Sequence, residues 1–139
     1  MSAEIPNVMP EDVWEALRND PSAKLVDVRT APEWSYVGQP DLSSIGKTAV
    51  RLQWQVYPGM EIDRDFLHKM RVEGVEPEDK VYFLCRSGVR STAAAKLAAE
   101  NGFTQVFNIA DGFEGPKDAQ GHRGTVAGWK RAGLPWGQG

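Results

Sequence analysis

The sequence predicts an α/β domain, and three observations carry that prediction. Short β-favouring runs alternate with helix-period runs along the whole chain, Gly, Pro, Asn and Asp punctuate the changeovers, and the clearest strand runs straight into the only cysteine. Pro10 suits a first helical position, and Val13, Trp14 and Leu17 then share a face until Asn19-Asp20-Pro21 stops the helix. Leu25-Val26-Asp27-Val28 reads as a short buried strand with Asp27 and Arg29 at its exit, and Thr30 can cap a brief helix through Glu33-Trp34. Ala49-Val50-Arg51-Leu52 is a second strand. Asp63 can cap a helix whose Phe66, Leu67 and Met70 face one way and which Gly74 ends. Val81-Tyr82-Phe83-Leu84 is the clearest strand and places Cys85 at its carboxyl end. Ser91 and Thr92 read as the cap of an alanine-rich helix closed by Asn101-Gly102, whose small side chains permit close packing on a sheet. Gln105 to Ile109 is a last strand. Thr125 to Ala132 is a last helix burying Val126 and Trp129, with Gly133 after it, and a Gly- and charge-rich loop lies between the two. The apolar run Gln53 to Met60 reads as a loop that lines either a pocket or a partner surface.

Composition narrows the function classes. A chain of 139 residues that is 41% hydrophobic and 25% charged fits one soluble domain with its own core. Sixteen Lys and Arg against 19 Asp and Glu leave a net charge of −3, so no global positive field draws it to nucleic acid or acidic lipid, and any anion site must be local. No apolar run approaches the ~18 residues of a membrane span, and Met1 to Pro10 lacks the basic start and apolar run of a signal peptide. The expectation is a cytoplasmic protein with no nucleic-acid or membrane partner. One cysteine and two distant histidines supply neither an internal disulfide nor a familiar zinc set, so the thiol is either inert or reactive, and no metal or organic cofactor is expected.

The position of Cys85 favours reactivity. Ligands of open α/β sheets bind at the carboxyl ends of strands, where amides at the next helix N-terminus attract negative charge. The loop Arg86-Ser87-Gly88-Val89-Arg90 can turn several N–H groups inward, with Gly88 easing the curl, and such a nest stabilises a thiolate or an oxyanion. A thiol of ordinary pKa about 8.5 falls to roughly 3.5–7.5 beside a helix N-terminus and cations. A lone cysteine after an apolar strand is more often a small buried hydrophobe. Two arginines and a glycine immediately after the strand are hard to explain as core, and Arg86 and Arg90 present planar donor sets that suit anionic oxygens.

Cys85-Arg86-Ser87-Gly88-Val89-Arg90 resembles the active-site loop of rhodanese-type sulfurtransferases. Asp27-Val28-Arg29 followed by Glu33-Trp34, and the ending Gly112 through Trp129, Gly133-Leu134-Pro135, extend the resemblance over Pro10 to Pro135. It implies a rhodanese-like fold, a central five-stranded parallel sheet flanked by helices, over residues 9–136 with tails at 1–8 and 137–139. It also implies that Cys85 accepts a sulfane sulfur as a persulfide, that Arg86, Ser87, Gly88, Val89 and Arg90 bind the donor, and that Asp27, Arg29 and Ser91 support the site. The implied partners are a small anionic sulfur donor and a thiol or cyanide acceptor, with an acceptor protein as a further candidate. Arg86 after the cysteine is similar to the thiosulfate-using loop, where a glycine would resemble the mercaptopyruvate-using one. The chain departs from the family pattern at Val37-Gly38-Gln39-Pro40-Asp41-Leu42, on the pocket rim, and in the long stretch Glu114 to Arg123, which bears on access.

Three rival readings are set against this one. Cysteine phosphatases and arsenate reductases need one more residue to encircle a tetrahedral oxyanion than the four between Cys85 and Arg90. A non-catalytic module that carries sulfur or binds a partner is separated by turnover with thiosulfate and cyanide. A cysteine–histidine hydrolase would need His68 or His122 beside Cys85, and both read as solvated or loop residues. Asp27 and Arg29 read mainly as loop-fixing.

Overall fold

The structure is a computed structural model that describes residues 5–56 and 59–137. Its elements in chain order are β1 (Asn7–Val8), α1 (Pro10–Asn19), β2 (Ala23–Asp27), a π-helical turn Glu33–Val37, β3 (Gln39–Pro40), a 3-10 turn Ser43–Ile45, β4 (Val50–Arg51), β5 (Gln55–Val56), β6 (Glu61–Ile62), α2 (Phe66–Val72), β7 (Lys80–Leu84), α3 (Val89–Glu100), β8 (Gln105–Ile109) and β9 (Trp136–Gly137). Five strands form a sheet in the order β1-β8-β7-β2-β4, every neighbouring pair parallel. The α/β architecture and the five-stranded parallel sheet are as the sequence predicts.

The period of two along the strands sorts the core into two faces. Val81, Phe83 and Cys85 point with Val26, Val28 and Val106 toward Phe66 and Met70 of α2 and Ala94, Ala95 and Ala98 of α3. Tyr82 and Leu84 point the other way with Leu25, toward Val13 and Leu17 of α1 and toward Phe113 and Trp129. The same alternation puts the Cys85 side chain under the first turn of α3. Alanines let α3 lie close to β7 and β8, which is how a residue at a strand end and one in the helix's first turn come to share a hydrogen bond.

Several local expectations need correction. Asn7–Val8, placed in a tail, pairs with Asn108 and Ile109 and forms the edge strand of the sheet. Gln53 to Met60 is not a plain loop, because β5 pairs antiparallel with β6; Tyr57 and Pro58 lie outside the described residues. Thr125 to Ala132 forms no helix. Gly124, Gly128 and Gly133 sit at φ of +84°, +99° and +77°, and the Trp129 and Lys130 amides donate to the Gly112 and Phe113 carbonyls instead of to a helix of their own. Trp129 is buried as expected, whereas Val126 is exposed. Among the described residues no helix is long and apolar enough to cross a membrane.

Candidate active site

Cys85 sits one residue beyond β7 and is 1% exposed. The chain curls over it at Gly88, whose φ of +123° favours a glycine and whose N–H donates to Cys85 Sγ at 3.0 Å. Among the described residues that amide is the backbone donor on the sulfur, fewer than the several expected of a nest. Ser91 Oγ lies 3.2 Å from Sγ. Ser91 is not the cap that its position suggested, since α3 already begins at Val89 with Gly88 as its N-cap. Thr92 Oγ1 instead donates back to the Gly88 carbonyl at 2.7 Å. Lying inside the first turn, Ser91 is fully buried and turned to the sulfur.

The loop is braced from below. Phe113 and Glu114 amides donate to the Cys85 and Arg86 carbonyls at 2.8 and 3.0 Å. A Cβ at Gly112, which has φ +63°, would run into those same carbonyls, so the segment after β8 can approach only as glycine. A cleft of about 550 Å³ flanks the loop, lined by Asn7, Ser87, Gly88, Asn108 and Asp111 among others.

The two loop arginines differ. Arg86 is exposed and forms no ion pair among the described residues. Arg90 makes a bidentate pair with Glu33, Nη1 to Oε1 at 2.6 Å and Nη2 to Oε2 at 3.0 Å, so the planar fork expected to bind the donor is already filled. Burial works against both charges, but the pair outweighs it: the Arg90 guanidinium, with Thr30 helping, holds Glu33 below its ordinary value, and the carboxylate holds Arg90 above its own. Sequence reading missed Glu33 as a site residue, although Thr30-x-x-Glu33 has the spacing of a capping box. Glu33 does reach back to the Thr30 N–H at 3.1 Å. Val89 stands 80% exposed at the loop tip, and Ser87 is half-buried beside it.

Asp27 and Arg29 are the frame. Both side chains are 0% exposed. Arg29 Nε and Nη2 donate to the two Asp27 carboxylate oxygens at 2.9 and 2.7 Å, Nη2 also to the Gly38 carbonyl at 2.7 Å, and the guanidinium lies 4.3 Å from the Phe113 ring centroid. The pair thereby ties the departing segment Val37 to Leu42 to the segment that braces the Cys85 loop. His68 and His122 are both exposed, and His122 is held in its own loop by Asp118, so neither is brought to Cys85. Asn108 and Asn7 were also missed. Asn108 accepts from Ser91 and donates to Asn7, and the available signal was a polar residue inside the otherwise apolar Val106 to Ile109. Among the described residues no group of three or more His, Cys, Asp or Glu is placed to hold a metal.

A thiol at a strand's carboxyl end, curled under a short loop and a helix start, is the arrangement that the resemblance to the rhodanese class implies. Comparison with known proteins agrees: residues 8–139 match the family model of the STR4 middle domain. The rhodanese-like domain-containing protein 4 of Arabidopsis thaliana is 33% identical over 127 residues, covering 91% of this chain and 24% of that protein. Thiosulfate sulfurtransferase GlpE of Actinobacillus succinogenes is 30% identical over 128 residues, 92% of this chain and 86% of that one. The crystal structure of Rv0390 from M. tuberculosis superposes with a TM-score of 0.88 at 44% identity, covering 99% of this chain and 100% of that one. The chain therefore belongs to the rhodanese-like family.

Proposed function

We propose that the protein is a sulfurtransferase that takes the outer sulfur of thiosulfate onto Cys85 and passes it to a thiophilic acceptor. The observation that supports this best is Cys85 Sγ held by the Gly88 amide and Ser91, beside an exposed Arg86 that forms no ion pair among the described residues. Because Cys85 is 1% exposed, its reaction partner must present a slim terminal atom, which a sulfane sulfur is and a tetrahedral phosphoryl centre is not. The Cys85 thiolate attacks that sulfur, a new S–S bond forms, the donor's S–S bond breaks, and sulfite leaves with the electron pair. Arg86 pairs with the sulfonate oxygens. An external cyanide or thiol then attacks the outer persulfide sulfur and regenerates the thiolate; with one cysteine in the chain, no internal thiol can resolve it. The scheme is ping-pong and uses no metal or organic cofactor. Similarity to a thiosulfate sulfurtransferase supports the choice of donor. The expected setting is cytoplasmic.

The test is intact-protein mass spectrometry after thiosulfate, with a turnover assay using cyanide. A gain of about 32 Da, one sulfur atom, on Cys85 and none in Cys85→Ser is the expected result. Turnover retained in Cys85→Ser would overturn the proposal; persulfide formation without turnover would reduce the protein to a sulfur carrier.

A further inference from the structure

Behind the sulfur runs a line of neutral groups, with Ser91 and Asn108 buried and Asn7 exposed at its outer end. Ser91 Oγ is 3.2 Å from Cys85 Sγ and donates to Asn108 Oδ1, and Asn108 Nδ2 donates to Asn7 Oδ1 at 2.7 Å. Ser91 is 0% and Asn108 4% exposed, so water does not substitute for the bond between these two. A serine hydroxyl has one proton to give. Asn108 commits its NH₂ to Asn7, which turns its carbonyl to Ser91, and Ser91 commits its proton there. The lone pairs of Ser91 then face Cys85. They accept well from a neutral S–H and poorly suit a thiolate, which needs a donor.

We infer that Asn108 is a positioning residue that acts through Ser91 to disfavour the bare thiolate of Cys85 relative to its persulfide. The inference rests on Cys85 being the sulfur acceptor. When the thiolate forms, the Ser91 hydroxyl either swings to sulfur and leaves the Asn108 carbonyl buried without a partner, or stays and meets the anion with lone pairs; both arrangements cost free energy. Sulfur loading moves the negative charge to the outer sulfur. Sγ becomes a neutral divalent sulfur, a weak acceptor, and Ser91 keeps its bond to Asn108. The relay is satisfied when the site is loaded and unsatisfied when it is discharged to the thiolate. The charged groups on the surrounding elements are Arg86 on the loop, Arg90 on α3 with Glu33, the Asp27–Arg29 pair beyond β2, and Asp111 and Glu114 beyond β8; a neutral substitution at Asn108 changes none of them.

The experiment follows the rate of Cys85 alkylation by iodoacetamide against pH on the full chain, freed of persulfide with cyanide. Asn108→Ala and the similarly sized Asn108→Leu release the Ser91 proton for the sulfur and lower the curve's midpoint by about 0.5–1 pH unit, the worth of one net hydrogen bond. Asn108→Asp, which keeps the shape and adds a charged acceptor, raises it. In a Ser91→Ala background the Ala and Leu substitutions leave the midpoint in place. At a fixed ratio of thiosulfate to sulfite, Asn108→Leu holds about 3- to 10-fold less persulfide relative to thiolate, the same shift written as an equilibrium ratio. Midpoints that coincide with the unsubstituted protein, or that move equally without Ser91, overturn the inference, as does unchanged persulfide loading. The alkylation arm uses no sulfur donor. Failure of thiosulfate to load the unsubstituted protein would therefore overturn the proposed function while the effect of Asn108 on the thiol remained readable.

Discussion

The exits of β2 and β7 lie side by side, with Asp27 in register with Leu84 and the Val28 amide donating to the Leu84 carbonyl at 2.8 Å. Both exits are buried, yet they are built from opposite materials. Beyond β2 a full ion pair is taken out of water and both carboxylate oxygens of Asp27 are committed to Arg29. Beyond β7 the buried groups are the Cys85 sulfur, the Ser91 hydroxyl and the Asn108 amide, with no ion pair among them, and the charged side chains stand toward the rim, at exposed Arg86 and in the partly exposed Arg90–Glu33 pair. The difference separates support from chemistry. A compensated pair with directional bonds fixes two loops in one geometry, whereas a reactive sulfur needs surroundings that change their hydrogen bonding as its charge comes and goes.

The largest effect expected from breaking this contrast is on stability at the β2 exit. Arg29→Met leaves Asp27 buried without its cation and is expected to cost about 3–5 kcal/mol in denaturant unfolding. Adding Asp27→Leu should return much of that, since an apolar pair replaces an ionic one; no recovery in the double variant would contradict the frame reading. Next in size is the β7 rim. Arg86→Ala is expected to raise the KM for thiosulfate about tenfold, the worth of one charge-assisted hydrogen bond, and to affect a singly charged keto-acid donor less. Salt should shrink the effect and Arg86→Lys should rescue it partly, because lysine keeps the charge and loses the fork. Arg90→Ala should act more on unfolding than on KM, its fork being filled by Glu33. Equal KM effects at both arginines would erase the distinction.

The smallest effect concerns acid. Burial opposes ionisation of Glu33, but Arg90 and Thr30 prevail and its carboxyl titrates below the ordinary 4.5. A carboxyl lowered by folding adds stability that is fully present above its unfolded value and disappears as pH falls through the folded one. The stability gap between the unsubstituted protein and Glu33→Gln should therefore be constant above about pH 4.5 and close below it, read from urea midpoints across the acid range. A gap that persists in strong acid would mean that Glu33 acts by shape alone.

Much of the site was legible in the chain because it is local. Val81 to Leu84 alternates across a sheet, Cys85 follows it, and Gly88 supplies the positive φ that brings its own amide onto the sulfur three residues back. The errors came where a local signal had a distant competitor. Ser91 has the chemistry of a cap, but the helix starts two residues earlier and the hydroxyl goes to Cys85 and Asn108. Thr125 to Ala132 has helical spacing of Val126 and Trp129, yet glycines on either side and the Gly112 and Phe113 carbonyls take its backbone elsewhere.

By itself the sequence determined the alternation of strands and helices, the place of the nucleophile at a strand exit, and the loop chemistry around it, because periodicity, turn residues and the reach of a short loop act within a few residues. Tertiary structure alone decided which charges remain free and where the serine proton points. Glu33 claims Arg90 across 57 positions and Asn7 orients Asn108 across 101, and pairings at such separations are set by how the sheet and its flanking segments pack, which no local pattern encodes.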